Sequence, residues 1–380
     1  MTHETPPSTT PTEIHTDWSL HPGVVLSQVL ARRAMRQAEL AERTGLTPKH
    51  VNQIVKQAVG ITPDVAVLLE RALDTPPRFW ANIGADWEVY LSEQRASASL
   101  KDFTAWASKF DSGTLVRYGI VGRSDSLPER ASKLLRFFGV ANPEAFEQTW
   151  MRPRVSFKRS QAYTVDEQNT ALWLRLVEHC AQGIDVSPYR PADLRKSAAQ
   201  IPAFTSMPFT TGFEAAQTSL ARAGVALVFV RQAPETRVCA ATWWIDDKPA
   251  IGITERHKKP DIFWFSLLHE IGHLLLHPRR KTFLDLEDDR HTDDEAEIEA
   301  NDYAASVLFP GEARDRIAKA TTRQELILLA ADLKLGLPIV AGQHGHLTNN
   351  WRVGGKLRST ITEQDVAVLE ERCQMPAIIS

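Results

Sequence analysis

Apolar residues recur at helical spacing from His21 to about Arg95 and mark out a run of short helices. Val24, Val25, Val29 and Leu30 open the first of them after Pro22. Two more are predicted between Gln37 and Ile54, with Leu40 and Ala41 facing inward on one and Val51, Ile54 and Val55 on the other. Gly45 stands where the earlier helix needs a left-handed cap, and Thr47 can cap the later one with Pro48 in its first turn. Lys49, His50, Asn52, Gln53 and Lys56 are left facing out. Residues 96–200 keep helical periodicity in ERASKLLRFFGV and NTALWLRLVEHCAQ, punctuated by Pro143, Pro153 and Pro188. From about Gly224 the period changes. VALVFV (225–230), VCAATWWI (238–245) and AIGIT (250–254) read as short strands, most simply a three-strand meander. A helix from about Ile262 to His277 follows, ended by Pro278.

This succession predicts a multidomain chain: an all-α helix-turn-helix domain over 19–95, a helical connecting segment over 96–200, and an α+β domain with a small sheet over 201–360. The polar, Pro/Thr-rich residues 1–18 read as a disordered tail and 361–380 as a C-terminal tail. Length agrees, because 380 residues exceed what one compact core holds. With 43% hydrophobic and 24% charged residues the composition is that of an ordinary globular protein, and no apolar run is long enough for a membrane span. The N-terminus has no apolar leader core, and the cysteines (Cys180, Cys239, Cys373) are scattered and odd in number. The expectation is a cytoplasmic protein without a disulfide framework, its cysteines serving as buried small side chains.

A net charge of −3 gives no global sign of a nucleic-acid partner, so charge has to be read locally. No acidic residue falls between Glu42 and Asp64, whereas Arg43, Lys49 and Lys56 do. The outward residues of the second short helix are the types that reach bases and phosphates. A helical hairpin with a solvated polar face is the plainer alternative, but the caps, the turn and the charge agree on a helix-turn-helix. The candidate DNA contacts are Gln37, Thr47, Lys49, His50, Asn52, Gln53 and Lys56. A second basic stretch, MRPRVSFKRSQAY with Arg152, Arg154, Lys158 and Arg159, offers a nucleic-acid contact but reads more plainly as a solvated loop and connecting helical layer. The acidic run from Asp285 to Asp294 reads as a solvated loop, with a second cation site as the alternative.

The segments HPG (21–23), QAELAERTGLTPKHVNQIV, GITPDVAVLLERAL and PPRFWANIGADWE together resemble the HigA-type branch of the phage-repressor (XRE) helix-turn-helix domains. The likeness covers roughly residues 19–95. It implies an antitoxin-repressor that binds a palindromic DNA operator as a homodimer, with the second short helix in the major groove. Phe79, Trp80 and Trp87 would then build a core or dimer contact.

The densest candidate chemistry is LHEIGHLLLH (268–277). His269 and His273 stand one turn apart on the predicted helix, roughly 6 Å along its axis. That spacing lets two imidazoles hold one zinc ion at about 2.0–2.1 Å. Glu270, beside the first histidine, can take a proton from a water that attacks a carbonyl and pass it to the leaving amine. Two buried histidines bonded to backbone are the plainer alternative. His277 lies roughly 12 Å along the axis from His269 and cannot share that ion, so it reads as a helix-end residue facing the dipole.

A third ligand must come from elsewhere, and DEAEIEANDYAASVLFP (294–310) supplies candidates. Its inward stripe is Ala296, Ala300, Tyr303, Ala304, Val307 and Leu308, which leaves Glu297 roughly 50° from the stripe centre and Glu295 and Glu299 towards solvent. A carboxylate at a packed edge is costly unless it is paired or bound to metal. Glu297 is therefore the third ligand and Glu299 the reserve, while Asn301, one turn on, could orient a ligand.

HEIGHLLLH, followed by EIEANDYAASVLFP, resembles the ImmA/IrrE family of HExxH metallopeptidases, with a weaker likeness over about 200–360. The resemblance implies a zincin-like fold, one Zn2+ per chain, Glu297 as third ligand, and cleavage of a regulatory protein rather than digestion. Leu308-Phe309-Pro310 stands where the family ends its second motif in Leu-Met-Pro. LPIVAGQHGHLTNNW is similar to the closing segment but departs in spacing, which leaves His344 and His346 without an assigned role.

The combined expectation is a DNA-binding transcriptional regulator whose zinc endopeptidase module cleaves a repressor, an antitoxin or itself, or that works with a cognate toxin. The alternative is a non-catalytic antitoxin or repressor whose zincin-like domain senses a ligand or binds a protein partner. The intact Glu270 favours catalysis, because a structural zinc site has no use for that carboxylate. No phosphate-handling motif supports a nucleic-acid enzyme.

Overall fold

The computed structural model describes residues 20–155, 166–277, 283–286 and 295–373, with the backbone alone for 152–155 and 283–286. The expected tail over 1–18, Pro278, the basic Lys158 and Arg159, and residues 287–294 of the acidic run lie outside the described residues. The chain divides into two compact units, one up to Asp102 and one from Phe103.

The first unit is built from α1 (Pro22–Arg32), α2 (Gln37–Thr44), α3 (Pro48–Val55), α4 (Pro63–Leu73) and α5 (Pro77–Ser99). Each inward stripe meets in one core of Leu26, Leu40, Val51, Ile54, Leu69 and Trp80. The punctuation acts as its chemistry dictates. Gly45 adopts φ 73°, the left-handed cap of α2, and the Thr47 hydroxyl accepts from the His50 amide at 3.2 Å to start α3. Of the aromatics expected in a core or dimer contact, Trp80 is fully buried, Trp87 packs edge-on against His21, and Phe79 is 43% exposed.

The second unit is centred on a small sheet of β1 (Ala226–Phe229), β2 (Val238–Ile245), β3 (Lys248–Ile253) and β4 (Phe283–Leu286) in the order β1-β3-β2-β4. This corrects the expected three-strand meander. β3, not β2, is interior to β1, and it pairs with β1 in parallel while β2 and β3 form an antiparallel hairpin. The physical reason is coverage. β3 is buried on both faces: Ile251 and Ile253 join the core with Leu267 and Ile271 on one side, while the Gly252 side faces Trp173 and Val177 on the other. Continuous apolar strands carry no alternation that could reveal their neighbours.

A platform helix (Glu167–Gln182) covers that second face, with the Trp173 indole donating to the Val230 carbonyl at 3.1 Å. A β-carbon on Gly252 would lie 2.8 Å from Trp173 and from Val177, so only glycine admits the platform at this distance. Gly252→Val is expected to destabilise the second unit by about 3 kcal/mol, the upper end of overpacking costs. Denaturant titration of both units checks this, and an unchanged midpoint for the second unit would refute it.

Two further features go beyond the sequence reading. Cys180, on the platform helix, lies against Cys373 across 193 residues of sequence, their Cα atoms 5.1 Å apart, whereas Cys239 is buried within β2. Residues 361–373, read from sequence as tail, carry a helix (Glu363–Glu370) whose Val366 and Leu369 are fully buried beside Ile361. Both features depend on contacts between distant parts of the chain. Among the described residues no helix is long and apolar enough to cross a membrane.

Candidate functional site

The histidine helix (Pro260–Leu276) lies against the sheet with Phe263, Leu267, Leu268 and Ile271 in the core. Its opposite side packs on the glutamate helix (Glu295–Leu308). The two approach closely at Gly272, where a β-carbon would stand 3.1 Å from the Ala300 Cα and 3.3 Å from its carbonyl oxygen. Small residues at this crossing bring the backbones near enough for His269 and His273 to meet Glu297.

Three donor atoms converge there. His269 Nε2 lies 3.1 Å from Glu297 Oε2, His273 Nε2 lies 2.9 Å from His269 Nε2, and His273 Nε2 lies 3.5 Å from Glu297 Oε2. All three residues are buried, and together they form a group able to hold a metal ion. Donors set tetrahedrally at about 2.0–2.1 Å from zinc are spaced about 3.3–3.4 Å apart, which the observed edges straddle. The protonation pattern fits as well. Asn301 Oδ1 sits 3.0 Å from His269 Nδ1, so a neutral ring donates there and presents Nε2 as an acceptor towards the Glu297 carboxylate. Converging acceptors repel unless a cation lies between them, and the donor set therefore suits one. Burial holds the His273 imidazole down at about 4, outweighing the Glu297 carboxylate that pulls the other way, so this ring is neutral at pH 7 as a ligand must be.

Glu270 is fully buried on the same helix, next to His269. His277, expected at the helix end, does occupy the C-cap, but its ring is turned onto His273: its Nδ1 is 3.0 Å from His273 Nδ1. Its Nε2 is 3.1 Å from Glu299 Oε2. Glu299, the reserve ligand, is thus outside the three-donor group, with half its side chain in solvent as the helix phase expected. The repeat of histidine at four-residue intervals (269, 273, 277) was the available sequence signal for this contact. His344 is buried and directed to the Ala320 carbonyl at 2.9 Å, and His346 is exposed; neither belongs to the three-donor group.

In the first unit, α3 buries Val51 and Ile54 and exposes Lys49, Asn52 and Lys56, with His50 and Gln53 half-buried; Thr47 at its cap and Gln37 at the start of α2 are exposed. Arg43, read as part of the positive surface, is engaged by Glu39 at 2.7 Å one turn earlier in α2. The lysines of α3 and its cap therefore carry the local positive charge.

Comparison with known proteins finds a family match in each unit. Residues 225–341 match a peptidase family described as the IrrE N-terminal-like domain, and residues 26–80 match the helix-turn-helix family. Virulence-associated protein I of Dichelobacter nodosus is 29% identical over 77 residues, 20% of this chain and 71% of that protein. Among solved structures, a Nostoc punctiforme protein described as an antidote protein of a plasmid maintenance system is 25% identical, with a TM-score of 0.21, over 22% of this chain and 91% of its own. An addiction module antidote protein of a HigA family from Coxiella burnetii is 24% identical, with a TM-score of 0.21, over 22% of this chain and 92% of its own. The chain thus carries one segment that matches a helix-turn-helix family and another that matches an IrrE-like peptidase family, and the His-His-Glu group lies within the latter segment.

Proposed function

We propose that this chain is a cytoplasmic DNA-binding regulator whose second unit is a zinc-dependent endopeptidase acting on a regulatory protein: a repressor, an antitoxin or the chain itself. The convergence of the His269, His273 and Glu297 donors beside a buried Glu270 carries the reading. His269, His273 and Glu297 hold the metal, and Asn301 orients His269. When bound there, zinc would supply the positive charge needed to polarise a scissile carbonyl and acidify water. Glu270 accepts the proton of the attacking water and returns it to the leaving amine. Burial of His269, Glu270, His273 and Glu297 keeps bulk solvent from that transfer.

The test pairs metal analysis with proteolysis. Purified protein is expected to hold about one zinc per chain. It is also expected to cut at least one purified repressor, antitoxin or toxin encoded beside it, with the activity lost on chelation and restored by zinc. Protein that holds zinc and leaves every such partner and itself intact would shift the reading to a ligand sensor or docking domain. Protein that takes up no metal even on reconstitution would end both.

The first unit is assigned to DNA, with Lys49 and Lys56 on phosphates and Asn52 and Gln53 towards base edges of an operator bound by a homodimer. Lys49→Ala and Lys56→Ala are each expected to weaken binding on all sequences alike and to lower the slope of log affinity against log salt by about 0.9. Asn52→Ala is expected instead to relax discrimination at one base pair by about 1–3 kcal/mol. Anisotropy titrations on the DNA upstream of its own gene, at several salt concentrations, separate the two. Lysine variants with an unchanged salt slope would remove α3 from the interface.

A further inference from the structure

We propose that His277 and Glu299 form a positioning pair that sets the tautomer of His273 and so turns its Nε2 lone pair to the metal. This rests on the metal reading of the site given above. A neutral imidazole carries one proton on one of two nitrogens, and only the bare nitrogen can be a ligand. For His273 the nitrogen in the donor group is Nε2, 2.9 Å from His269 Nε2, and the other, Nδ1, stands 3.0 Å from His277 Nδ1. Which of the two is bare is therefore decided by what His277 presents.

His277 is in turn decided by Glu299. Its Nε2 lies 3.1 Å from a carboxylate oxygen, which only accepts, so a neutral His277 carries its one ring proton on Nε2. That leaves Nδ1 of His277 as an acceptor. His273 then donates from Nδ1, and its Nε2 is an acceptor facing Glu297. Two N–H donations in series, each balanced by one acceptor, carry the choice from a carboxylate at the surface to a buried ligand. The exposures run the same way: the side chains of His273, His277 and Glu299 are 1%, 8% and 52% accessible.

The two histidine ligands are thus oriented by different means. His269 donates to the amide oxygen of Asn301 on the neighbouring helix. His273 donates to an imidazole four residues along its own helix, and the charge that fixes that imidazole comes from Glu299 on the neighbouring helix. Glu297 and Glu299, two residues apart, divide the labour: the buried one joins the donor group and the half-exposed one orients a ligand through a ring. Outer partners of this kind typically change metal affinity by about 10–100-fold.

The experiment measures zinc affinity by competition with a chromophoric chelator, the absorption spectrum of the cobalt-substituted protein, and melting of the metal-free protein. His277→Phe keeps the ring volume and removes the acceptor; it is expected to lower zinc affinity by about 10–100-fold and to alter the cobalt spectrum. His277→Gln offers a carbonyl to His273 and an amide N–H to Glu299, and is expected to recover most of that loss. Glu299→Gln, at an exposed position, is expected to give a smaller loss in the same direction. Metal-free melting should be alike in all four proteins, which separates positioning from packing. If the wild type binds zinc and His277→Phe binds it equally with an unchanged cobalt spectrum, the pair has no positioning role while the metal site stands. If His277→Gln behaves as His277→Phe, the tautomer argument is overturned. A wild type that takes up neither metal ends the metal reading and this inference with it.

Discussion

Glu270→Gln is expected to slow peptide-bond cleavage by about 10²–10⁴-fold while leaving metal content at the wild-type level. Glutamine matches glutamate in shape, so a fully buried side chain at the centre of the second unit is replaced without a cavity. It cannot accept a proton from water. The donor atoms of His269, His273 and Glu297 do not include Glu270, so metal affinity has no reason to fall. Single-turnover cleavage of whichever partner the wild type cuts, with metal analysis on the same samples, reads both halves of the expectation. Cleavage at the wild-type rate would remove Glu270 from proton transfer. Metal lost together with activity would make it a structural support of the site instead.

Glu297→Leu is expected to abolish high-affinity zinc binding, a loss well beyond the roughly 10–100-fold attached to an outer partner. The metal-free variant is expected to be no less stable than the metal-free wild type. The reason is that Glu297 is a carboxylate only 3% exposed, facing a histidine that is neutral at pH 7. Taking a carboxylate out of water is costly even where it has partners, and an apolar side chain of similar volume removes that cost. Zinc at 100-fold over its dissociation constant should stabilise the wild type by about 2.7 kcal/mol and the variant not at all. Thermal melts with chelator and with zinc distinguish the outcomes. A metal-free variant that unfolds well below the wild type would show that Glu297 serves the fold, through its contact with His269, rather than an ion.

The candidate site was legible to differing depths. The His269 and His273 spacing and the adjacent Glu270 are properties of one helix and need no tertiary information. The inward phase of Glu297 was also readable, because an alanine stripe defines the packed face of its helix, and the side chain is buried. The role of His277 was not, since helix geometry alone excluded it from the ion without saying that its ring would turn back to His273. Glu299 shows the same limit: phase put it towards solvent, where half of it is, but the reach of its side chain to His277 needs the crossing at Gly272 and Ala300.

The sequence by itself determined the local elements of this protein: α2 and α3 with their glycine and threonine caps, the polar face of α3, the three central strands as strands, and the histidine helix with His269 and His273 in phase. These follow from interactions within a turn or two of chain, which residue type and spacing encode directly. Only the tertiary structure decided which strand lies in the middle of the sheet, that Cys180 meets Cys373, and that the last helix belongs to the core. It also decided that LHEIGHLLLH meets a carboxylate from a separate helix on one side and an imidazole–carboxylate relay at its end. Those outcomes depend on which buried surfaces find one another across the chain, and burial is non-directional until packing at close-approach residues such as Gly252 and Gly272 selects one arrangement.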